Sequence, residues 1–122
     1  GNLNSKRDWG HAKDYVRAMW LMLQQEQAED YVISMGETNS VREFIIKSFA
    51  KIEIEIDWRG EGINERGYDK NKNILLITIN EKYFRPCEVN LLIGDSSRAK
   101  NELGWKPEID TLDKLIDNML FN

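Results

Sequence analysis

Apolar residues recur with helical spacing near the start of the chain. Ala12, Tyr15, Val16, Met19, Trp20 and Leu23 form one stripe, which predicts a helix over residues 11–25. Ala18, Leu21 and Met22 fill the remaining faces, so its C-terminal half is apolar nearly all round. Such a helix is normally buried on several sides. Two readings follow: a central core helix, or a helix packed in part on a domain outside this chain. Residues 31–34 (Tyr-Val-Ile-Ser) read as a short strand and 35–39 as a turn. Ser40 and Glu43 have capping-box spacing, which predicts a helix to about Lys51 that buries Val41, Phe44, Ile45 and Phe49. Period-two alternation predicts a strand over residues 52–58. A β-branched run predicts another over 74–79, the two pairing as a hairpin or across a long loop. The polar stretch 59–72 between them reads as loop.

Towards the C-terminus, Asp95 or Ser96 can cap a helix over residues 96–103, with Gly104 at the left-handed position beyond its end and Pro107 preventing its resumption. Leu112, Leu115, Ile116, Met119 and Leu120 recur at i, i+3, i+4, i+7 and i+8, the signature of a final helix. The expected fold class is α/β, an α+β-like small domain of helices packed with a few short strands. At 122 residues it has room for one domain and one modest core.

Composition narrows the function classes. Apolar residues make up 41% and charged residues 31%, with a net charge of −4. Both signs are scattered, which argues against a nucleic-acid surface but not against a small phosphate-bearing ligand. No apolar run approaches membrane-spanning length. Cys87 is the only cysteine and His11 the only histidine, too few for a structural zinc site or an internal disulfide. The start, Gly-Asn-Leu-Asn-Ser-Lys-Arg-Asp-Trp, lacks an initiator Met and reads as the middle of a longer protein.

Candidate chemistry gathers at residues 83–107. Pro86 pushes Arg85 towards extended geometry, which is expected to direct its side chain, and makes a central strand there improbable. A guanidinium fork matches phosphate or carboxylate, and Glu88 accepts hydrogen bonds as sugar hydroxyls require. Arg85 and Glu88 also fit a plain surface ion pair. Gly60, Gly62 and Gly67 mimic a phosphate loop, but no helix is predicted after them. Tyr68 and Lys72 have the spacing of a dehydrogenase pair, which works only on one helix face; here they lie in a loop. Asp8, Asp14 and His11 surround a helix start, where dipole, capping or first-turn hydrogen-bonding roles are expected.

Three stretches carry a resemblance: "GNLNSKRDWGHAKDYVRAMW", "QQEQAEDYVISMGETNSVREF" and "YFRPCEVNLLIGDSSRAKNELGWKPEI". Together they resemble the C-terminal substrate domain of the GDP-mannose 4,6-dehydratases, which are extended short-chain dehydrogenase/reductases. Cys87 departs from the small residue expected there. The resemblance implies an N-terminal Rossmann domain that binds NADP and lies outside this chain, together with the catalytic Thr/Ser, Glu, Tyr and Lys. It implies oxidation at C4 of the mannose, loss of water across C5 and C6, and return of the hydride to C6. Within this chain it implies no catalytic, cofactor or metal ligand. It assigns Arg7 and Arg85 to the diphosphate, Glu88 to the ribose or nearby hydroxyls, and Asn2 to the pocket edge. A homo-oligomeric, cytoplasmic enzyme is the corresponding expectation. The alternatives are the substrate domain of another sugar-nucleotide epimerase or reductase, and a stand-alone binding module without catalysis.

Overall fold

His11 stops the first helix from fraying at its start: its Nδ1 accepts the Lys13 N–H at 3.1 Å, and α1 runs Ala12–Leu23. The structure, a computed structural model, describes all of residues 1–122. Its elements are β1 (Lys6–Arg7), α1, β2 (Asn39–Ser40), α2 (Val41–Ala50), β3 (Ile56–Arg59), β4 (Arg66–Asp69), β5 (Leu75–Thr78), α3 (Ser97–Leu103) and α4 (Leu112–Phe121), with short 3-10 turns at Gly62–Asn64 and Glu81–Tyr83. The mixed α/β class is as expected. Instead of one core, the chain forms two compact units, one of Gly1–Ser5 with Ser40–Asn90 and the other of Lys6–Asn39 with Leu91–Asn122. No helix is long and apolar enough to cross a membrane.

In the second unit, α1 packs on α3. Ala18, Ala99, Leu103 and Trp105 are the buried centre, and Tyr15, Leu21, Met22, Tyr31, Ile33 and Met35 close around it. Two alanines at the contact let the helices approach and admit the Trp105 ring at close packing. Of the predicted α1 stripe only Tyr15 is even partly buried. Val16, Met19, Trp20 and Leu23 stand 59–82% exposed, and the buried face is the one through Asp14 and Ala18. Gly104 takes φ +64° at the end of α3, as its position predicted. In α4, capped by Thr111, Leu112, Leu115 and Ile116 are buried, whereas Met119 and Leu120 are exposed. Residues 31–34 form no ladder. Alternation supplies a face to bury, but a strand also needs a neighbouring edge, and none pairs with it here.

In the first unit the capping box closes in both directions, Ser40 Oγ accepting from Glu43 N at 3.1 Å and Glu43 Oε2 from Ser40 N at 2.6 Å. β3, β4 and β5 form an antiparallel sheet in that order, pairing Trp58 with Gly67 and Gly67 with Ile77. Two expectations change. The strand starts at Ile56, not Ile52, because residues 51–53 prolong α2 as a turn, with Glu53 at φ +61°. The "loop" 59–72 contains β4, so the two predicted strands do not pair directly. Gly67 is tightly covered in that middle strand: an added Cβ would lie 3.0–3.1 Å from Ile77, Ile56 and Trp58 side chains, which would have to shift. Asp69 Oδ1 then accepts from Asn71 N and Lys72 N, turning the chain into β5.

Candidate functional site

Arg7 lies on β1 in the second unit, half-buried, with Nη1 donating to its neighbour's carbonyl, Lys6 O, at 2.8 Å. It lines a cleft of about 290 Å³ together with Tyr15, Ser34 and Gly94. Asp8 lines the same cleft, and its carboxylate has a structural task there. Its two carboxylate oxygens accept the Met35 and Gly36 N–H groups, each at 2.8 Å. Burial, and then the nearby Asp8 and Asp14 carboxylates, push the Tyr15 hydroxyl above its usual pKa, so it stays a protonated donor at neutral pH. The cleft therefore brings together the Arg7 guanidinium, the Asp8 carboxylate and the Tyr15 and Ser34 hydroxyls.

Asn2, Arg85 and Glu88 fall in the first unit. Asn2 is half-buried and its Oδ1 accepts the Asn4 N–H at 2.9 Å. Arg85 is exposed and makes no hydrogen bond or ion pair. The expected Arg85–Glu88 pair is thus not formed; Glu88 is half-buried and engaged elsewhere. Pro86 restricts the backbone of Arg85 but gives its side chain nothing to hold, so the expectation of a directed guanidinium is also corrected. Phe84 is extended at φ −78°, ψ 126°, and no strand forms at Pro86, as predicted.

Asp14 is the principal residue that sequence reasoning misplaced. It is 1% exposed, and beyond any dipole effect it accepts Glu108 N at 2.9 Å and Ile109 N at 3.0 Å. Its own carbonyl accepts Trp105 Nε1 at 2.9 Å. One residue thereby fixes the Trp105–Ile109 segment to α1. A buried carboxylate needs donors, and Pro107 followed by two free N–H groups was the only signal. Asp8 is corrected in the same way, from helix-start residue to clamp of residues 35–36. His11 serves the first-turn hydrogen bond expected of it.

No group of three or more His, Cys, Asp or Glu side chains converges as a metal site would require. Nor do the glycines form a dinucleotide cradle. Gly60 and Gly62 lie in the connection between β3 and β4, and Gly67 inside β4, with no helix to receive a pyrophosphate. Tyr68 and Lys72 sit on β4 and the following turn, not on one helix face.

By fold this is a small mixed α/β protein without a membrane-crossing helix, carrying an unengaged arginine in one unit and an arginine-lined cleft in the other. A family model described as GDP-mannose 4,6 dehydratase matches residues 1–119, and the chain belongs to that family. A GDP-mannose 4,6 dehydratase of Drosophila melanogaster is 54% identical over 120 residues, covering 98% of this chain and 30% of the relative. That of Dictyostelium discoideum is 58% identical over 106 residues, 87% of this chain and 30% of the relative. The Homo sapiens protein of the same name is 52% identical over 120 residues, 98% and 32% respectively. The chain thus spans about a third of the length of the curated relatives it matches.

Proposed function

We propose that this chain is the substrate-binding portion of a GDP-mannose 4,6-dehydratase, a lyase that converts GDP-mannose to GDP-4-keto-6-deoxymannose. NADP is held by a Rossmann domain elsewhere in the protein and supplies hydride acceptance and return. The role derived for this chain is binding and orientation of the nucleotide. Arg7 and Arg85 bind the diphosphate, Glu88 accepts from ribose hydroxyls, and Asn2 borders the pocket. The exposed apolar face of α1 is the surface on which the Rossmann domain packs. The enzyme works as a cytoplasmic homo-oligomer.

The family match over residues 1–119 carries this reading. The uncommitted guanidinium of Arg85 supports it, because no internal bond must break before it meets a phosphate. In the protein at its full natural length, Arg85→Lys weakens GDP binding about tenfold or more, since lysine keeps the charge and loses the planar fork. Lys72→Ala, which removes an exposed charge, is the control. Titration calorimetry at fixed salt decides: parent-like affinity in Arg85→Lys moves the diphosphate site elsewhere.

A further inference from the structure

β3 is an outer strand of its sheet, with β4 on one side only. Lys70 N donates to Glu55 O at 2.9 Å, which makes Glu55 and Lys70 a hydrogen-bonded pair in that ladder's register. Bonded and non-bonded pairs alternate, so Asp57 and Arg59 also turn their backbone groups towards β4. Ile56 and Trp58 turn theirs outward, where no hydrogen bond is made to them. Just upstream, Ile54 N donates to Phe49 O at 3.0 Å, so the open edge starts beyond that bond. Lysine, proline or a bulge commonly blunts such an edge. β3 has none of these, and the irregularity of the sheet lies at Gly67/Tyr68, between β4 and β5. The edge borders a cleft of about 470 Å³ within the first unit. Ile46 and Ala50 line it from α2, and Ile54, Ile56 and Trp58 from β3 and its approach. A groove between a helix and an open strand edge accepts an extended peptide: the ladder holds its main chain, and the groove takes every second side chain.

The charges along the strand choose the occupant. Glu53, Glu55 and Asp57 alternate with the apolar residues, and the first two also line the cleft. The Glu53 carboxylate is exposed and makes no hydrogen bond or ion pair. Glu55 accepts from Lys70 Nζ and Asp57 from Arg59 Nε, each through one oxygen, so both keep acceptor sites. We propose that the outer edge of β3 is a docking site for an extended segment of a partner protein in which basic and apolar residues alternate. Its main chain bonds to the outward N–H and C=O groups of Ile56 and Trp58. Its apolar side chains enter the cleft, and its basic side chains stand opposite Glu53, Glu55 and Asp57. An acidic segment is rejected, because like charges directly opposite destabilise a ladder. This docking site does not depend on the nucleotide-binding reading above.

The test uses the protein at its full natural length and three capped, fluorescein-labelled peptides, read by fluorescence anisotropy at fixed salt. One is Lys-Val-Lys-Val-Lys-Val, the second carries Glu in place of Lys, and the third is the first with alternate amides N-methylated. The lysine peptide is expected to bind saturably and the glutamate peptide not at all. N-methylation on the ladder-facing side is expected to weaken binding about tenfold or more, since it removes main-chain hydrogen bonds and keeps the charge. Glu53→Lys combined with Glu55→Lys inverts the preference between the first two peptides. Ile46 is 41% exposed, so Ile46→Lys puts a charge in the cleft without emptying a core position, and it is expected to abolish binding of the lysine peptide. Should the double variant lose its fold, Ile46→Lys still decides. Equal binding of the N-methylated peptide, or parent-like binding by Ile46→Lys, reduces the effect to surface charge and overturns the proposal. So does failure of the lysine peptide to bind, the result expected if a second copy or another part of the same protein already covers this edge.

Discussion

Arg42 meets Glu65 with both terminal nitrogens and lies 4.6 Å over the Trp58 ring, so one guanidinium serves a carboxylate and an aromatic face together. The hydrogen bonds from Arg42 hold the Glu65 carboxyl below its usual range, outweighing the upward push of burial. A depressed carboxylate stabilises the fold above its unfolded pKa, and that contribution is lost as pH falls through the lower folded value. Stability is therefore expected to hold from neutral pH to about 5 and to decline below the ordinary glutamate value of about 4.3. Glu65→Gln should cost on the order of 1–3 kcal/mol at pH 7 and flatten the acid limb of a urea-denaturation series. An unchanged acid limb would mean the pair contributes nothing to folding. Trp58 Nε1 is buried and makes no hydrogen bond.

Among the elements, Gly104 at the end of α3 and Gly94 in the segment before it do different work. Gly104 has φ +64° and open space where a Cβ would stand, so Gly104→Ala should cost only the left-handed strain, about 1–2 kcal/mol. At Gly94 an added Cβ would lie 2.6 Å from Ser34 Cβ, inside contact distance of a buried residue. Gly94→Ala should therefore be the more damaging of the two, with the order read from thermal melts. The reverse order would show that the 91–95 segment yields easily. The Ser40–Glu43 capping box and the Gly104 helix end were legible in sequence because they depend on neighbours within four residues. Residues 31–34 were not, because a ladder depends on an edge supplied from far along the chain.

For the whole molecule, the exposed run of Val16, Met19, Trp20 and Leu23 is the dominant feature of the second unit. An apolar helix face of this kind drives association when left uncovered. The isolated chain should self-associate at high concentration, and Trp20→Glu should reduce it, as sedimentation and hydrophobic-dye binding would report. A strictly monomeric chain that binds no dye would count against this. The isolated chain should also form no 4-keto product from GDP-mannose and NADP, and detection of that product would place catalytic groups among these residues.

The sequence by itself determined what short-range physics governs: four helices near residues 11–25, 40–51, 96–103 and 112–120, the Ser40–Glu43 capping box, the αL glycine at 104, and the mixed class of the fold. Its three motif stretches also determined the family, since those residues stand in the chain whatever its packing. Tertiary structure alone decided which face of α1 is buried, because an all-round apolar helix has no preferred side until Ala99 and Trp105 meet Ala18. It alone turned the glycine loop into the middle strand of a sheet, since the only local hint was a Gly that flanking side chains cover. It also separated Arg85 from Glu88 and committed Asp14 to backbone N–H groups more than ninety residues away. Contacts at that range depend on how the chain closes on itself, and no local pattern of charge or hydropathy encodes that closure.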